Sequence, residues 1–329
     1  MRIAIDAMGG DHAPHAHVES ALAAAIEWPD THIILVGNPG VLQPLIGNAP
    51  PSNVSIEAAM EIIGNDDEPV KAVRRKTDSS MVVAGRMVKE GRADAMISAG
   101  NTGALMALGL LVVGRLKGIE RPGLAPMFPS LDNVGVLALD MGANMDAKPE
   151  HLLQYALMGS LYRNKVHGIK EPRVGLLNVG TEASKGSELT KAAYELLEKA
   201  PINFVGNVEA RDVLDRSCDV LVCDGFSGNI LLKAMEGAAS TIFKLLREEL
   251  TSSFKSKLAA GVLKPNFRRV RDRMDYNEHN GAPLLGVNGL VVKGHGSSDA
   301  KAMKTAIRQT RTAIGNGLIA ALADEFSGK

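Results

Sequence analysis

Short runs of β-branched and aliphatic residues alternate along this chain with longer amphipathic segments, and this alternation restricts the fold more than any other feature. The pattern is typical of a parallel β-sheet covered by helices on both faces, so we predict an α/β fold. The predicted strands are Arg2 to Asp6, His32 to Val36, Asp94 to Ser98, Val134 to Asp140, Arg173 to Asn178, Asp219 to Cys223 and Gly289 to Val292.

The length of 329 residues fits one large domain or two ordinary ones, and we predict a single α/β domain over residues 1–329. Apolar residues make up 45% of the chain, which argues against a disordered protein. The 37 Lys and Arg balance the 37 Asp and Glu, so we expect no nucleic-acid partner that binds through bulk positive charge. Only Cys218 and Cys223 are present, too few for a disulfide framework or a four-cysteine zinc site.

No segment of the sequence predicts a membrane span or a secretory signal. The longest nearly unbroken apolar stretch, residues 103–114, is twelve residues long, whereas a helix needs roughly 20 to cross a bilayer. The amino terminus enters the first predicted strand directly, without the apolar region of a signal peptide. We therefore expect a soluble, cytoplasmic protein.

Loops rich in glycine and polar residues follow the predicted strands, where ligands bind in open α/β sheets. Residues 100–103, Gly-Asn-Thr-Gly, open an apolar helix whose first amides favour an anion. Residues 179–186 include Lys185 at the start of a predicted helix, where a cation opposes the helix dipole. A locally unfavourable residue is a functional candidate, and an exposed structural lysine is the alternative.

Two further loops carry more polar groups than helix capping requires. Residues 224–229, Asp-Gly-Phe-Ser-Gly-Asn, offer three candidate caps where one would suffice. Residues 293–299, Lys-Gly-His-Gly-Ser-Ser-Asp, combine an imidazole, hydroxyls and open amides, which suits a phosphate or an oxyanion, although Ser298 or Asp299 could serve as an N-cap. With no obvious covalent nucleophile, these loops predict direct displacement by a bound phosphate or phosphorylated group.

The loop after the first predicted strand contains acidic residues and histidines, which raises the alternative of a metal site. Asp6 ends the first strand, and His12, His15 and His17 follow it, but the nearby carboxylates lack the spacing of a known ligand set. We therefore predict neither a metal nor a cofactor.

A basic amphipathic excursion occupies about residues 240–275. Between Lys244 and Arg273, nine basic residues stand against three acidic ones, with apolar residues interleaved at spacings of three or four. The spacing predicts one or two amphipathic helices. They are either a solvated excursion or a docking surface for an acidic partner or an anionic membrane. The candidate docking residues are Phe254, Lys257, Leu258, Val262, Leu263, Arg268 and Arg269.

Motifs along essentially the whole chain resemble those of the bacterial phosphate acyltransferases of phospholipid synthesis, the acyl-ACP:phosphate transacylases. The matching segments are residues 3–11 (Ile-Ala-Ile-Asp-Ala-Met-Gly-Gly-Asp), 97–103 (Ile-Ser-Ala-Gly-Asn-Thr-Gly), 140–144 (Asp-Met-Gly-Ala-Asn), 178–182 (Asn-Val-Gly-Thr-Glu), 224–229 and 294–298 (Gly-His-Gly-Ser-Ser). The resemblance implies a three-layer αβα sandwich of Rossmann-like type, similar to isocitrate and isopropylmalate dehydrogenases and to phosphate acetyltransferase. It also implies a homodimer.

The resemblance further implies that inorganic phosphate attacks the thioester of a long-chain acyl group on acyl carrier protein, giving acyl phosphate for phospholipid synthesis. A glycerol-3-phosphate acyltransferase would act downstream, and the protein would associate peripherally with the cytoplasmic face of an anionic membrane. Lys185 would orient phosphate and Asn229 would stabilise the carbonyl or tetrahedral oxygen. The remaining candidate substrate-binding residues are Asp6, Gly100, Asn101, Thr102, Gly103, Thr181, Ser227, His295, Gly296 and Ser297.

Three alternatives remain open from the sequence. An enzyme of the same chemical class could use acyl-CoA as the donor. A nicotinamide-dependent decarboxylating dehydrogenase is disfavoured because we identify no clustered metal-binding aspartates. A non-catalytic module that binds carrier protein is the third.

Overall fold

The computed structural model describes residues 1–274 and 281–327, within which twelve strands form two sheets. The strands are β1 (Arg2–Asp6), β2 (His32–Gly37), β3 (Val54–Ala58), β4 (Ala95–Ser98), β5 (Gly123–Leu124), β6 (Met127–Phe128), β7 (Val136–Leu139), β8 (Arg173–Asn178), β9 (Asn203–Glu209), β10 (Val220–Val222), β11 (Ala282–Leu285) and β12 (Leu290–Lys293).

Both sheets are mainly parallel. The seven-stranded sheet has the order β3-β2-β1-β4-β12-β11-β5, in which β11 runs antiparallel to both neighbours. The five-stranded sheet has the order β6-β7-β10-β8-β9, with β6 as an antiparallel edge. The α/β prediction is therefore confirmed, and the strands divide between two sheets.

Helices connect the strands and cover the sheets. They are α1 (His15–Glu27), α2 (Pro39–Ile46), α3 (Pro69–Arg75), α4 (Ser80–Lys89), α5 (Thr102–Leu108), α6 (Pro149–His167), α7 (Glu188–Glu198), α8 (Gly225–Leu250), α9 (Phe254–Met274), α10 (Ala300–Gly315) and α11 (Leu318–Ser327). A π-helical turn, Gly109–Val113, continues α5. None of the described helices combines the length and apolar character that a bilayer span requires.

Strand alternation builds the layers. Ile3 and Ile5 of β1 share one core cluster with Val220 and Val222 of β10, so the inner faces of both sheets contribute to the same core. The intervening residues of the same two strands face the outer sides of the sheets. Ala4 of β1 packs with α4 and α5, whereas Leu221 of β10 packs with the first turns of α8. Because side chains alternate across a strand, this division produces the layered sandwich that the resemblance implies.

The predicted basic excursion forms a pair of helices. The first turns of α8 contain its buried residues, Gly225, Gly228 and Leu231, whereas its later turns are partly or fully exposed. Helix α9 packs against α8, and Phe254, Leu258 and Val262 are 60 to 81% exposed.

Candidate active site

A cavity of about 640 Å³ lies where loops from both sheets meet. Its polar side chains come from the end of β12 and from the segments that follow β4, β12 and β10, all at the carboxyl ends of parallel strands. The volume is typical of a small-molecule site. The polar lining side chains are Thr102, Asn229, Lys233, Glu236, Lys293 and His295. The apolar lining comprises Val70, Met106, Ala107, Leu110, Leu124, Pro126, Met127, Met141, Ala143, Leu232 and Ala282.

Asn229 lines this cavity from within α8, because the helix begins four residues before it. Asp224 is the N-cap of α8, and its carboxylate accepts a hydrogen bond from the Ser227 amide at 2.9 Å. Asn229 therefore lies in the second turn of the helix, half-buried and free of any capping duty. Gly142 packs beside it, and a Cβ there would stand 3.5 Å from the Asn229 side-chain amide. The amide can thus hydrogen-bond a ligand.

Four of the predicted site residues line the cavity together: Thr102, Gly103, Asn229 and His295. Thr102 and Gly103 begin α5 on one wall, and Asn229 lies on α8. His295 is half-buried in the loop after β12, and its Nδ1 lies 2.8 Å from Ser297 Oγ. Burial, followed by the nearby Lys293 ammonium, lowers the pKa of His295, which favours the neutral imidazole.

Other predicted residues support the loops from behind. Asp6 is buried and accepts hydrogen bonds from Ser80 Oγ and Ser98 Oγ, each at 2.6 Å. Asn101 caps α5 through Ala104 N, and its amide nitrogen donates to carbonyls of Gly64 and Asn65. A side chain at Gly100 would approach Met81 and Asp6, so this position allows close packing under the loop. Asp6, Gly100 and Asn101 do not line the cavity.

The structure does not bring Lys185 and Thr181 into the cavity lining. Both are exposed in the loop after β8, and Lys185 precedes the α7 N-cap, Ser187, by two residues. Strand β8 pairs with β10 in parallel, so this loop and the start of α8 leave the same edge of one sheet. Ser227, Gly296 and Ser297 also lie outside the lining, next to Asn229 or His295 in sequence.

Three polar lining residues, Lys233, Glu236 and Lys293, were not among the predicted site residues, and the buried one of these is Lys293. It ends β12, is 8% exposed, and pairs in register with Ser98, which pairs in turn with Asp6. Its ammonium donates to the carbonyl oxygens of Ala99, at 3.3 Å, and Gly294. Burial lowers the pKa of Lys293 to about 8 despite the opposing carboxylates of Asp6 and Asp11. A lysine ending an apolar strand was the available signal.

Comparison with known proteins gives a family. A family model described as "Fatty acid synthesis protein" matches residues 1–321. The chain belongs to the fatty acid synthesis protein family. A phosphate acyltransferase of Shouchella clausii is 55% identical over 316 residues, covering 96% of this chain and 95% of that protein. A phosphate acyltransferase of Halalkalibacterium halodurans is 59% identical over 309 residues, covering 94% and 91%.

Membership confirms the resemblance found in the sequence and makes the chain an acyltransferase. It leaves the dehydrogenase and the non-catalytic binding module without support. The solved phosphotransacetylase of Streptococcus pyogenes is similar in fold, with a TM-score of 0.58 and 16% identity over 95% of this chain and 94% of that one. At this identity the likeness concerns the fold alone.

Proposed function

We propose that this protein transfers a long-chain acyl group from acyl carrier protein to inorganic phosphate, giving acyl phosphate and free carrier. The observation that carries the proposal is the mixed lining of the cavity, which combines apolar side chains with hydrogen-bond donors and a buried cation. Met106, Leu110 and Met127 offer an acyl chain an apolar surface, while Asn229 and Lys293 offer hydrogen-bond donors to the carbonyl oxygen and to phosphate. The relatives named phosphate acyltransferase support this choice of acceptor.

The proposed chemistry is a direct displacement. A phosphate oxygen forms a bond to the thioester carbonyl carbon, and the carbonyl oxygen becomes an oxyanion. The carbon–sulfur bond then breaks, the sulfur leaves as a thiolate and takes a proton from water, and acyl phosphate remains. Phosphate is an anion at neutral pH and a thiolate leaves readily, so the protein needs chiefly to position the reactants and stabilise the oxyanion.

We assign two roles within this reaction. The Asn229 amide donates a hydrogen bond to the carbonyl oxygen as negative charge develops on it, since Asn229 lines the cavity beside Gly142. Lys185 screens phosphate charge as substrates enter or react, since its exposed loop leaves the same sheet edge as α8.

Assembly and docking belong to the same proposal. The basic helix pair presents exposed apolar side chains beside lysines and arginines, which suits an anionic membrane surface or the acidic carrier protein. Phe226 and Ile230, one turn apart on α8, are 60% and 53% exposed, which supports burial against a second copy in a homodimer. A glycerol-3-phosphate acyltransferase would consume the product.

The test is formation of acyl phosphate from long-chain acyl carrier protein and inorganic phosphate, trapped with hydroxylamine. Long-chain acyl-CoA serves as a parallel donor, and omission of phosphate is the control. Hydroxylamine also cleaves thioesters directly, so we expect a phosphate-dependent increase in hydroxamate above that background, with faster formation from acyl carrier protein. Faster phosphate-dependent hydroxamate formation from acyl-CoA would identify acyl-CoA, rather than acyl carrier protein, as the donor. No phosphate-dependent product from either donor would refute the proposed reaction.

A further inference from the structure

We propose that Lys293 is the cation that anchors the phosphate in the cavity. The inference rests on the proposed function and deepens it, because it assigns the phosphate-binding group to the buried lysine that ends β12. Lys293, at the end of β12, and Asn229, on the helix that follows β10, line the same cavity, so a phosphate held by one can lie beside a carbonyl group held by the other.

The environment of Lys293 leaves its charge available to a ligand. In residues 1–274 and 281–327, no carboxylate lies within ion-pair distance of its ammonium, although the side chain is buried. The carboxylate of Asp6 instead accepts hydrogen bonds from the hydroxyl groups of Ser80 and Ser98. A buried cation without an ion-pair partner is costly, which is the arrangement expected where a bound anion completes the site.

The hydrogen-bonding capacity of Lys293 points the same way. An ammonium group has three N–H donors, and two of them are directed at the carbonyl oxygens of Ala99 and Gly294. These two bonds fix the position of the ammonium of a residue that lines the cavity. One donor remains for an oxygen of phosphate, and low solvent exposure strengthens that contact.

The other lysine of the cavity is a poorer anchor. Lys233 has a side chain 65% exposed and forms an ion pair with Glu236 at 2.8 Å. Its charge is therefore largely neutralised and screened by solvent. Among the described residues that line the cavity, Lys293 is the cation available to bind phosphate.

The experiment compares the wild type with Lys293→Met, which keeps the unbranched apolar stem of the side chain and removes its charge. Thermal unfolding is recorded against increasing inorganic phosphate, without an acyl donor, and initial rates are then measured with acyl carrier protein. Lys191→Met, on the exposed face of α7, is the matched control for loss of one lysine charge.

We expect phosphate to raise the melting temperature of the wild type and of Lys191→Met, but not that of Lys293→Met. The KM for phosphate should rise by about 10- to 100-fold in Lys293→Met, the range for one lost charged hydrogen bond. A KM and a phosphate-dependent stabilisation within about twofold of wild type would overturn the assignment.

A second variant covers the case in which Lys293→Met does not fold. Lys293 faces Asp6 on β1, Asp11 in the following loop and His295 in its own loop. Deprotonation of Lys293 should raise the wild-type KM for phosphate above about pH 8. Lys293→Arg, which stays protonated, should lose this rise. An unchanged rise in Lys293→Arg, measured with folded protein, would contradict the anchor.

These outcomes separate the inference from the proposed reaction. Phosphate-dependent stabilisation that Lys293→Met abolishes, without any acyl phosphate formed by the wild type, would retain the anchor and refute the reaction. Acyl phosphate formation by the wild type, with an unaltered phosphate KM in Lys293→Met, would retain the reaction and refute the anchor.

Discussion

Polar side chains that follow the strands of this protein have two roles, which are to cap helices and to line the cavity. Asn101, Asp224 and Asp299 each accept a hydrogen bond from an amide in the first turn of a helix, and these contacts hold the loops in place. Asn229 and Lys293 face the cavity instead. A capping residue stabilises a helix by about 1 kcal/mol, whereas a donor aimed at a developing oxyanion acts mainly on the rate.

For Asn229, we expect replacement by Ala to lower kcat by roughly 10²- to 10³-fold with little change in KM, because the contact strengthens as charge develops on the oxygen. Asn229→Asp should be slower still, since it places a negative charge beside the oxyanion. Steady-state rates with acyl carrier protein and phosphate test both variants. Asn48→Ala, at an exposed position, is the control. An Asp variant as active as wild type would exclude the oxyanion role.

For Lys185, we expect replacement by Ala to cost roughly 2 to 4 kcal/mol of transition-state stabilisation, the order found for loss of one preorganised donor. The fold should be unaffected, because the side chain is exposed in a loop. The ratio kcat/KM for phosphate measures the loss, and Lys191→Ala on the neighbouring helix is the control. Normal turnover and normal phosphate affinity in Lys185→Ala would remove this residue from the mechanism.

How much of the site the sequence predicts depends on the geometry of each side chain. The loops are identified because glycine and polar residues follow apolar strands, and four of the site residues predicted in them line the cavity. Local sequence did not separate Asn101, whose amide is bound to neighbouring carbonyls, from Asn229, whose amide faces the cavity. Lys293 was missed because its significance depends on burial between loops that are distant in the chain.

At the scale of secondary structure, the predicted strands all exist, to within two residues at either end. Five strands, β3, β5, β6, β9 and β11, were not predicted, and β5 and β6 are only two residues long. Most of β3 is only partly buried and thus lacks a strong apolar run. Strand β9 contains Gly206 at a φ of 89° and pairs with β8 through a register shift, which interrupts the alternation. Strand periodicity predicts regular central strands better than irregular edges.

The placement of α8 depends on a close backbone approach at Gly228. A Cβ added there would clash with the carbonyl oxygen of Asp140, whereas one added at Gly237, farther along the same helix, would meet nothing. We expect Gly228→Ala to lower the free energy of unfolding by about 1 to 3 kcal/mol through overpacking, and to lower activity by displacing Asn229.

The matched variant Gly237→Ala should instead stabilise the protein by about 0.5 to 1 kcal/mol, because alanine restricts the unfolded chain and favours a helix. Urea unfolding followed by circular dichroism measures both changes. If the two variants had equal stability, the contact between Gly228 and Asp140 would not position α8.

At the scale of the whole molecule, charge is unevenly distributed although its sum is zero. The segment from Lys244 to Arg273 has six more basic than acidic residues, so the remaining residues carry a net charge of −6. An anionic surface would attract the helix pair and repel the body, which would orient the molecule on a membrane. A long-chain acyl phosphate is an amphiphile, so release at a membrane surface would give this orientation a purpose.

We expect Leu258→Glu combined with Leu263→Glu to abolish sedimentation with anionic vesicles, because membrane insertion needs apolar side chains as well as positive charge. Leu258 is 60% exposed and Leu263 is 42% exposed, so both can be replaced with little effect on the core. Wild-type binding should weaken with salt, since each nearby Lys or Arg contributes about 1 kcal/mol at an anionic surface. Acyl transfer from carrier protein in solution should continue.

The matched control is Ile26→Glu combined with Met60→Glu, which adds the same two charges at exposed positions on the body. If both pairs reduced vesicle binding equally, net charge rather than the helix pair would govern association. Unchanged binding by the Leu258 and Leu263 variant would contradict membrane insertion. Loss of activity by that variant with normal folding would assign the segment to carrier docking or to the dimer, because either interface would bury the same apolar side chains that a membrane would cover.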